Sequence, residues 1–273
     1  MLIILRPLVV GLLLVAGPLF VQAFDTDTDT DFSRFTHDEA LAYSQAVIGD
    51  SVDDVQLLRS DGSPVAIADY RGKPLLVSMI FTSCHHVCPS TTQYLGQVVA
   101  KARAALGDDS FQVVSVGFDT PTDNPESMAQ FKRSTGVADM DWGFLSGDAA
   151  AIAKLSQQLG FIYYPSPRGF DHLVQSTIID AEGVVYRQVY GMTFPTPTLI
   201  EPIKELVFGE PTEQSTLDYL SNRIRLFCTV YDPATDTYYI DISVFIGTFV
   251  GIMVSLLFGT VLIREWRKSI KAG

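Results

Sequence analysis

The chain has 273 residues, a formal net charge of −12, 47% hydrophobic and 18% charged residues. That composition supports a packed core and excludes wholesale disorder. The acidic balance excludes a general nucleic-acid binder, which needs surplus Lys and Arg to neutralise phosphates, and three cysteines are too few for a disulfide scaffold.

Residues 1–23 carry Arg6 as their only charge, an apolar run Leu8–Val21 and a small-x-small site Val21-Gln22-Ala23. This is the layout of a secretory signal peptide. As a helix the run spans roughly 21 Å, short of the ~30 Å hydrocarbon core; an uncleaved anchor is the alternative. Residues 24–39 alternate Asp and Thr from Asp25 to Asp31. They lack the central Gly and terminal Glu of a calcium loop and read as a self-repelling acidic linker.

A globular pattern fills residues 40–208. Leu75–Phe81 is a short apolar run suited to a buried strand, and Phe111–Phe118 is a second. Between them, Tyr94, Leu95, Val98, Val99 and Ala102 recur at helical spacing and predict a helix over Pro89–Leu106. Helices are also predicted over Pro125–Ser134, Asp148–Leu159 and Thr198–Val207. Two strands, His172–Ile179 and Val184–Val189, meet at the turn signal Glu182-Gly183. Strands alternating with helices and closing on a hairpin predict an α/β fold with a mixed central sheet flanked by helices.

Residues 209–241 form a connector, with helical spacing over Thr212–Phe227, then Cys228 and a turn at Asp232-Pro233. Cys228 has two readings, a small buried apolar residue or a third redox thiol. Ile242–Ile263 is 22 residues without a charge, about 33 Å of helix and enough to cross a bilayer. Tyr238, Tyr239 and Trp266 bracket it as interfacial rings, and Arg264, Arg267, Lys268 and Lys271 follow. The positive-inside rule keeps 264–273 as a cytoplasmic tail, so the domain faces the other side of the membrane.

The chemistry gathers at Phe81-Thr82-Ser83-Cys84-His85-His86-Val87-Cys88-Pro89, where the first buried strand gives way to a helix. In open α/β sheets function collects beyond the carboxyl ends of strands. Two cysteines at i and i+4 share a face, and the helix N-terminus favours thiolate, at Cys88 most directly. Such a pair closes to a disulfide or holds a soft metal. A static disulfide across so small a loop removes little chain entropy, and a zinc finger needs another ligand pair. A thioredoxin-type pair has two intervening residues where this one has three. A peroxide-reducing cysteine is disfavoured because Phe81 stands where threonine is wanted.

The sequence resembles the Sco/SenC family over about residues 45–207. The resemblance is carried by Cys84…Cys88-Pro89, by Gly117-Phe118-Asp119…Asp123-Asn124-Pro125-Glu126, and by Phe170-Asp171-His172 before a strand. It implies a thioredoxin-like fold and a copper site with Cys84, Cys88 and His172 as metal ligands, taking Cu(I) or Cu(II). Softness of the sulfurs and the versatility of imidazole agree with that set.

The implied function is an exported, membrane-anchored copper chaperone of the bacterial inner membrane, facing the periplasm. It would deliver copper to the CuA centre on the copper-bearing subunit of cytochrome c oxidase, with another copper donor protein as a further partner. The alternative is a thiol-disulfide oxidoreductase in which Cys84 and Cys88 cycle as the redox pair and reduce the client's cysteines. His85 and His86 read either as transient copper captors that also tune the pair, or as exposed helix-start residues. Asp171 is a candidate for orienting the His172 loop. Asp119, Asp123 and Glu126 read as an acidic rim, with a helix-capping role for Asp123 or Asn124 before Pro125 as the alternative. The chain departs from the family in its C-terminal anchor, in Thr120 where proline is common, and in the extension bearing Cys228.

Overall fold

A computed structural model describes residues 36–209, 229–241 and 243–272. The expected signal peptide, most of the acidic linker, the Thr212–Phe227 helix and Cys228 lie outside the described residues.

After helix α1 (His37–Ala46), strands β1 (Gln56–Arg59) and β2 (Pro64–Ala66) form a hairpin, followed by a 3-10 turn at Ile67–Tyr70. Then come β3 (Leu75–Ile80), α2 (Val87–Leu106), β4 (Gln112–Gly117), α3 (Pro125–Ser134), β5 (Gly143–Ser146) and α4 (Ala149–Gln158). A small hairpin, β6 (Tyr163–Ser166) and β7 (Gly169–His172), precedes β8 (Gln175–Ile179), β9 (Val185–Tyr190) and α5 (Pro197–Gly209). One seven-stranded sheet runs in the order β2-β1-β5-β4-β3-β8-β9. β3, β4 and β5 are parallel, and the outer strands are antiparallel. This is the expected mixed α/β sheet.

The placement of β3 follows from its composition. All six of its residues are buried, as a strand covered on both faces requires. The apolar stripe of α2, running through Cys88, Leu95, Val98, Val99, Ala102 and Leu106, is buried with it. Since Leu75 pairs with Gln112 and Ile80 with Gly117, β3 and β4 end side by side. Both loops that leave them therefore open at one end of the sheet. α3 begins as its sequence suggests: Asn124 is the cap, its Oδ1 accepting the Glu126 and Ser127 amides at 3.1 and 3.0 Å, with Pro125 next.

The strand expected over His172–Ile179 is two strands. β8 begins only at Gln175, while His172 ends β7 and pairs with Tyr163 of β6. Leu173 and Val174 separate them and let the chain leave the small hairpin for the main sheet.

Beyond α5, β10 (Thr229–Asp232) and β11 (Thr237–Ile240) form a further hairpin that folds back on the domain. Lys101 of α2 pairs with Asp236, Lys204 of α5 donates to the Thr229 carbonyl at 2.7 Å, and Tyr238 donates to Glu201 at 2.9 Å. Tyr238 is thus engaged with the domain rather than free to sit at a membrane interface, whereas Tyr239 is 50% exposed. Three residues after β11 ends, α6 (Ser243–Ala272) begins. Its segment Phe245–Arg264 is long and apolar enough to cross a membrane and buries nothing within the protein.

Candidate metal centre

The loop after β3 turns at once. The Cys84 amide donates to the Phe81 carbonyl at 3.2 Å, and α2 starts three residues later with His86 as its cap residue. Cys84 therefore stands just ahead of the helix while Cys88 lies in its first turn. Cys84 is part-exposed and Cys88 buried, and both are free thiols. The Cys88 amide donates to Cys84 Sγ at 3.3 Å.

This geometry divides the two sulfurs. The Cys88 thiol donates to Cys84 Sγ, and the amides of Cys88, His86 and Val87 point at the same atom. Together they outweigh partial burial and bring the Cys84 pKa down to about 5. Cys88 moves the other way, far above the usual thiol range, because its S–H donates to the Cys84 sulfur and because it is buried. The expectation that the helix favours thiolate at Cys88 is corrected: the free amides of the first turn converge on the residue before the helix.

A consequence is measurable. Iodoacetamide should alkylate the reduced protein at Cys84 first, with a rate that is half-maximal near pH 5 and level from about pH 6.5 to 8, since only thiolate reacts. An ordinary thiol gains about tenfold per pH unit over that range. Cys88→Ala should move the midpoint upward by more than about one unit, because it removes the largest stabilising contact. A Cys84 rate that climbs steadily to pH 8 would contradict this charge distribution.

Beside Cys84 opens a cavity of about 550 Å³, lined among others by Phe81, Cys84, His85, His86, Phe170 and His172. Cys88 and His172 also line one narrow gap with Thr91, whose buried hydroxyl has no hydrogen-bond partner. His172 Nδ1 lies 2.7 Å from the Leu173 carbonyl. A carbonyl only accepts, so Nδ1 carries the proton and Nε2 keeps its lone pair. Burial holds the ring neutral by lowering its pKa. The group that orients His172 is thus a backbone carbonyl; Asp171 is exposed.

Phe81, Phe118 and Phe161 pack against the His172 ring at centroid distances of 6.0, 5.4 and 5.4 Å, mostly edge to face. Sequence reading missed Phe161 and Tyr163 as parts of this wall; being aromatic just before a hairpin was their only signal. Among the described residues no three His, Cys, Asp or Glu side chains form a closed metal-holding cluster. His172 and Cys84 instead border the open cavity, and His172 meets the buried Cys88 at the narrow gap beside it.

His85 and His86 are exposed at its rim. Asp123 does not belong to an acidic rim, being 2% exposed. Its Oδ1 accepts the Thr82 amide at 2.8 Å and the Thr82 hydroxyl at 2.6 Å, and its Oδ2 accepts the Asp119 amide at 2.9 Å. Nor is it the helix cap, a role that falls to Asn124.

A dithiol at the strand-to-helix junction of a mixed sheet, with an imidazole across the cavity, defines a thioredoxin-like protein equipped for soft-metal or thiol chemistry. Residues 47–207 match the SCO1/SenC family, and the chain belongs to it. It is 26% identical over 169 residues to mouse (Mus musculus) SCO2 homolog, mitochondrial, covering 60% of this chain and 64% of that protein. The chain thus spans less than two thirds of that relative's length. Arabidopsis thaliana ScoI with copper bound superposes with a TM-score of 0.50 at 19% identity, covering 56% of this chain and 96% of that one. BsSco, described with a disulfide switch and as a member of the Sco family of cytochrome c oxidase assembly proteins, gives 0.52 at 20% identity, covering 57% and 93%.

Proposed function

We propose that the protein is a membrane-anchored copper chaperone that takes one copper ion as cargo on Cys84, Cys88 and His172 and passes it to the CuA site of a cytochrome c oxidase subunit. The observation that carries this reading is the pairing of a thiolate-prone Cys84 with a neutral imidazole whose Nε2 lone pair is free, on one cavity, with the buried Cys88 beside both. Thiolate sulfur suits Cu(I), and imidazole accommodates Cu(II) as well. An open cavity leaves room for a recipient's ligand to attack the metal, which transfer requires. The copper-bound relative and the oxidase-assembly description of another support the same cargo and destination. The apolar helix α6 supports the anchor, and the basic residues after it support a domain on the periplasmic side of a bacterial inner membrane.

A second reading, reduction of the client's cysteines, draws on the Cys84 thiolate hydrogen-bonded to the Cys88 thiol, the reactive state of a cycling pair. Metal analysis and visible absorption of the purified protein, before and after thiol reduction, separate the two. The chaperone reading expects one bound copper with a sulfur-to-metal charge-transfer band. A metal-free dithiol that cycles readily would replace it with the reductase.

A further inference from the structure

We propose that Asp123 is a positioning residue for the dithiol: a buried carboxylate that latches the two loops leaving β3 and β4 and so holds Cys84 over the amides of α2. The inference deepens the proposed copper site, but it rests on hydrogen bonds rather than on metal.

The parallel ladder between β3 and β4 makes one last bond beyond the strand ends, from the Phe118 amide to the Ile80 carbonyl at 2.9 Å. There the chains diverge, one toward Cys84 and the other toward Asp119. Asp123 spans the opening, taking two donors from Thr82 on one loop and the Asp119 amide on the other. Thr82 and Asp123 are 41 residues apart in sequence. All three groups are donors and the carboxylate only accepts, so the match is complete while the side chain stays ionised. Burial leaves no room for water to replace a lost partner.

What the latch holds is the backbone between the two sulfurs and the sheet. Thr82 lies next to Phe81, whose carbonyl accepts the Cys84 amide and whose amide donates to Cys88. Fixing Thr82 therefore fixes the turn that sets Cys84 Sγ against the α2 amides. Gly117 leaves the room the carboxylate occupies: a Cβ there would meet Asp123 Cβ at 2.5 Å and Cγ at 2.9 Å, and Met128 Sδ at 2.9 Å. Any larger residue at 117 displaces the carboxylate.

The reduced pair, with its thiolate accepting several hydrogen bonds, gains most from this arrangement, because a disulfide sulfur is a weaker acceptor. Loosening the latch should favour the disulfide. The test is the equilibrium of the full chain, carrying Cys228→Ser, with dithiothreitol. Cys84 and Cys88 become a disulfide as the cyclic disulfide of oxidised dithiothreitol opens to its dithiol, so electrons and protons balance.

Asp123→Asn is isosteric but turns an NH2 group toward a donor, and Gly117→Ala pushes the carboxylate away. Each should shift the equilibrium toward the protein disulfide by about tenfold or more and weaken Cu(I) binding by about tenfold to 100-fold, the usual cost of losing an outer contact to a metal site. Thr82→Val should shift the redox equilibrium less, and Thr82→Ser should restore it. Folded Asp123→Asn and Gly117→Ala proteins with the parent equilibrium would overturn the proposal. If neither folds, the threonine pair decides, and equal behaviour of Thr82→Val and Thr82→Ser overturns it. A parent protein that binds no copper would sink the chaperone reading and leave the redox series still decisive for the latch.

Discussion

Replacing His172 by alanine is expected to abolish copper retention while leaving the dithiol chemistry intact. The ring's Nδ1 is committed to the Leu173 carbonyl, and burial keeps it neutral, so its Nε2 offers a donor that no nearby residue can supply from the same position. Loss of an outer-shell partner already costs about 10- to 100-fold in metal affinity. Loss of a ligand should exceed about 100-fold on the same scale. Competition with a Cu(I) chelator measures this, and the equilibrium of Cys84 and Cys88 with dithiothreitol serves as the control. A disulfide reductase needs two sulfurs and no imidazole. Full copper affinity in His172→Ala would therefore remove His172 from the ligand set and hand the site to the reductase reading.

Phe118→Ala should be the most damaging single substitution near the site. Phe118 is 1% exposed and packs on Phe81, Phe161, Tyr163, Phe170 and His172, with ring centroids between 4.6 and 5.4 Å. Truncating a buried phenylalanine costs about 3–5 kcal/mol, through lost transfer free energy and the cavity left behind. That is a large share of the roughly 5–15 kcal/mol that holds a domain together. Denaturant unfolding of the purified protein should show the loss, and the surviving folded fraction should bind copper more weakly because the His172 ring loses one wall. A destabilisation below about 1 kcal/mol would mean that the cluster collapses onto the vacancy at little cost.

The connection between the two experiments is the small β6–β7 hairpin. Its second strand opens on Gly169 at φ +111°, a conformation that suits glycine, and a Cβ there would meet Phe81 Cε2 at 2.9 Å. The hairpin therefore lies directly on the aromatic wall, which couples the position of His172 to the residue that precedes the cysteine loop.

Much of the site was legible from local sequence because its signals are local. A continuous apolar run made β3 recognisable, the three-and-four spacing of Leu95, Val98, Val99 and Ala102 made α2 recognisable, and Cys-x-x-x-Cys-Pro marked their junction. Asn124-Pro125 announced the start of α3, and the uncharged run after Asp241 announced α6. Each depends on residues within a turn or two of one another.

What escaped depends on partners distant in the chain. Strands β1, β2 and β5 have only three or four residues each, too few to establish a period, and are strands because the sheet pairs them. Asp123 looks like any surface acid until Thr82 and Asp119 close around it. His172 looked like the first residue of a sheet strand, whereas its pairing with Tyr163 puts it at the end of a separate hairpin. Sequence by itself determined which atoms are available for chemistry and the helices and central strands that carry them. Only the tertiary structure decided which sulfur holds the negative charge, which carbonyl orients the imidazole, and which carboxylate ties the loops together, because each of those is a hydrogen bond whose strength depends on burial and on a neighbour that folding alone brings near.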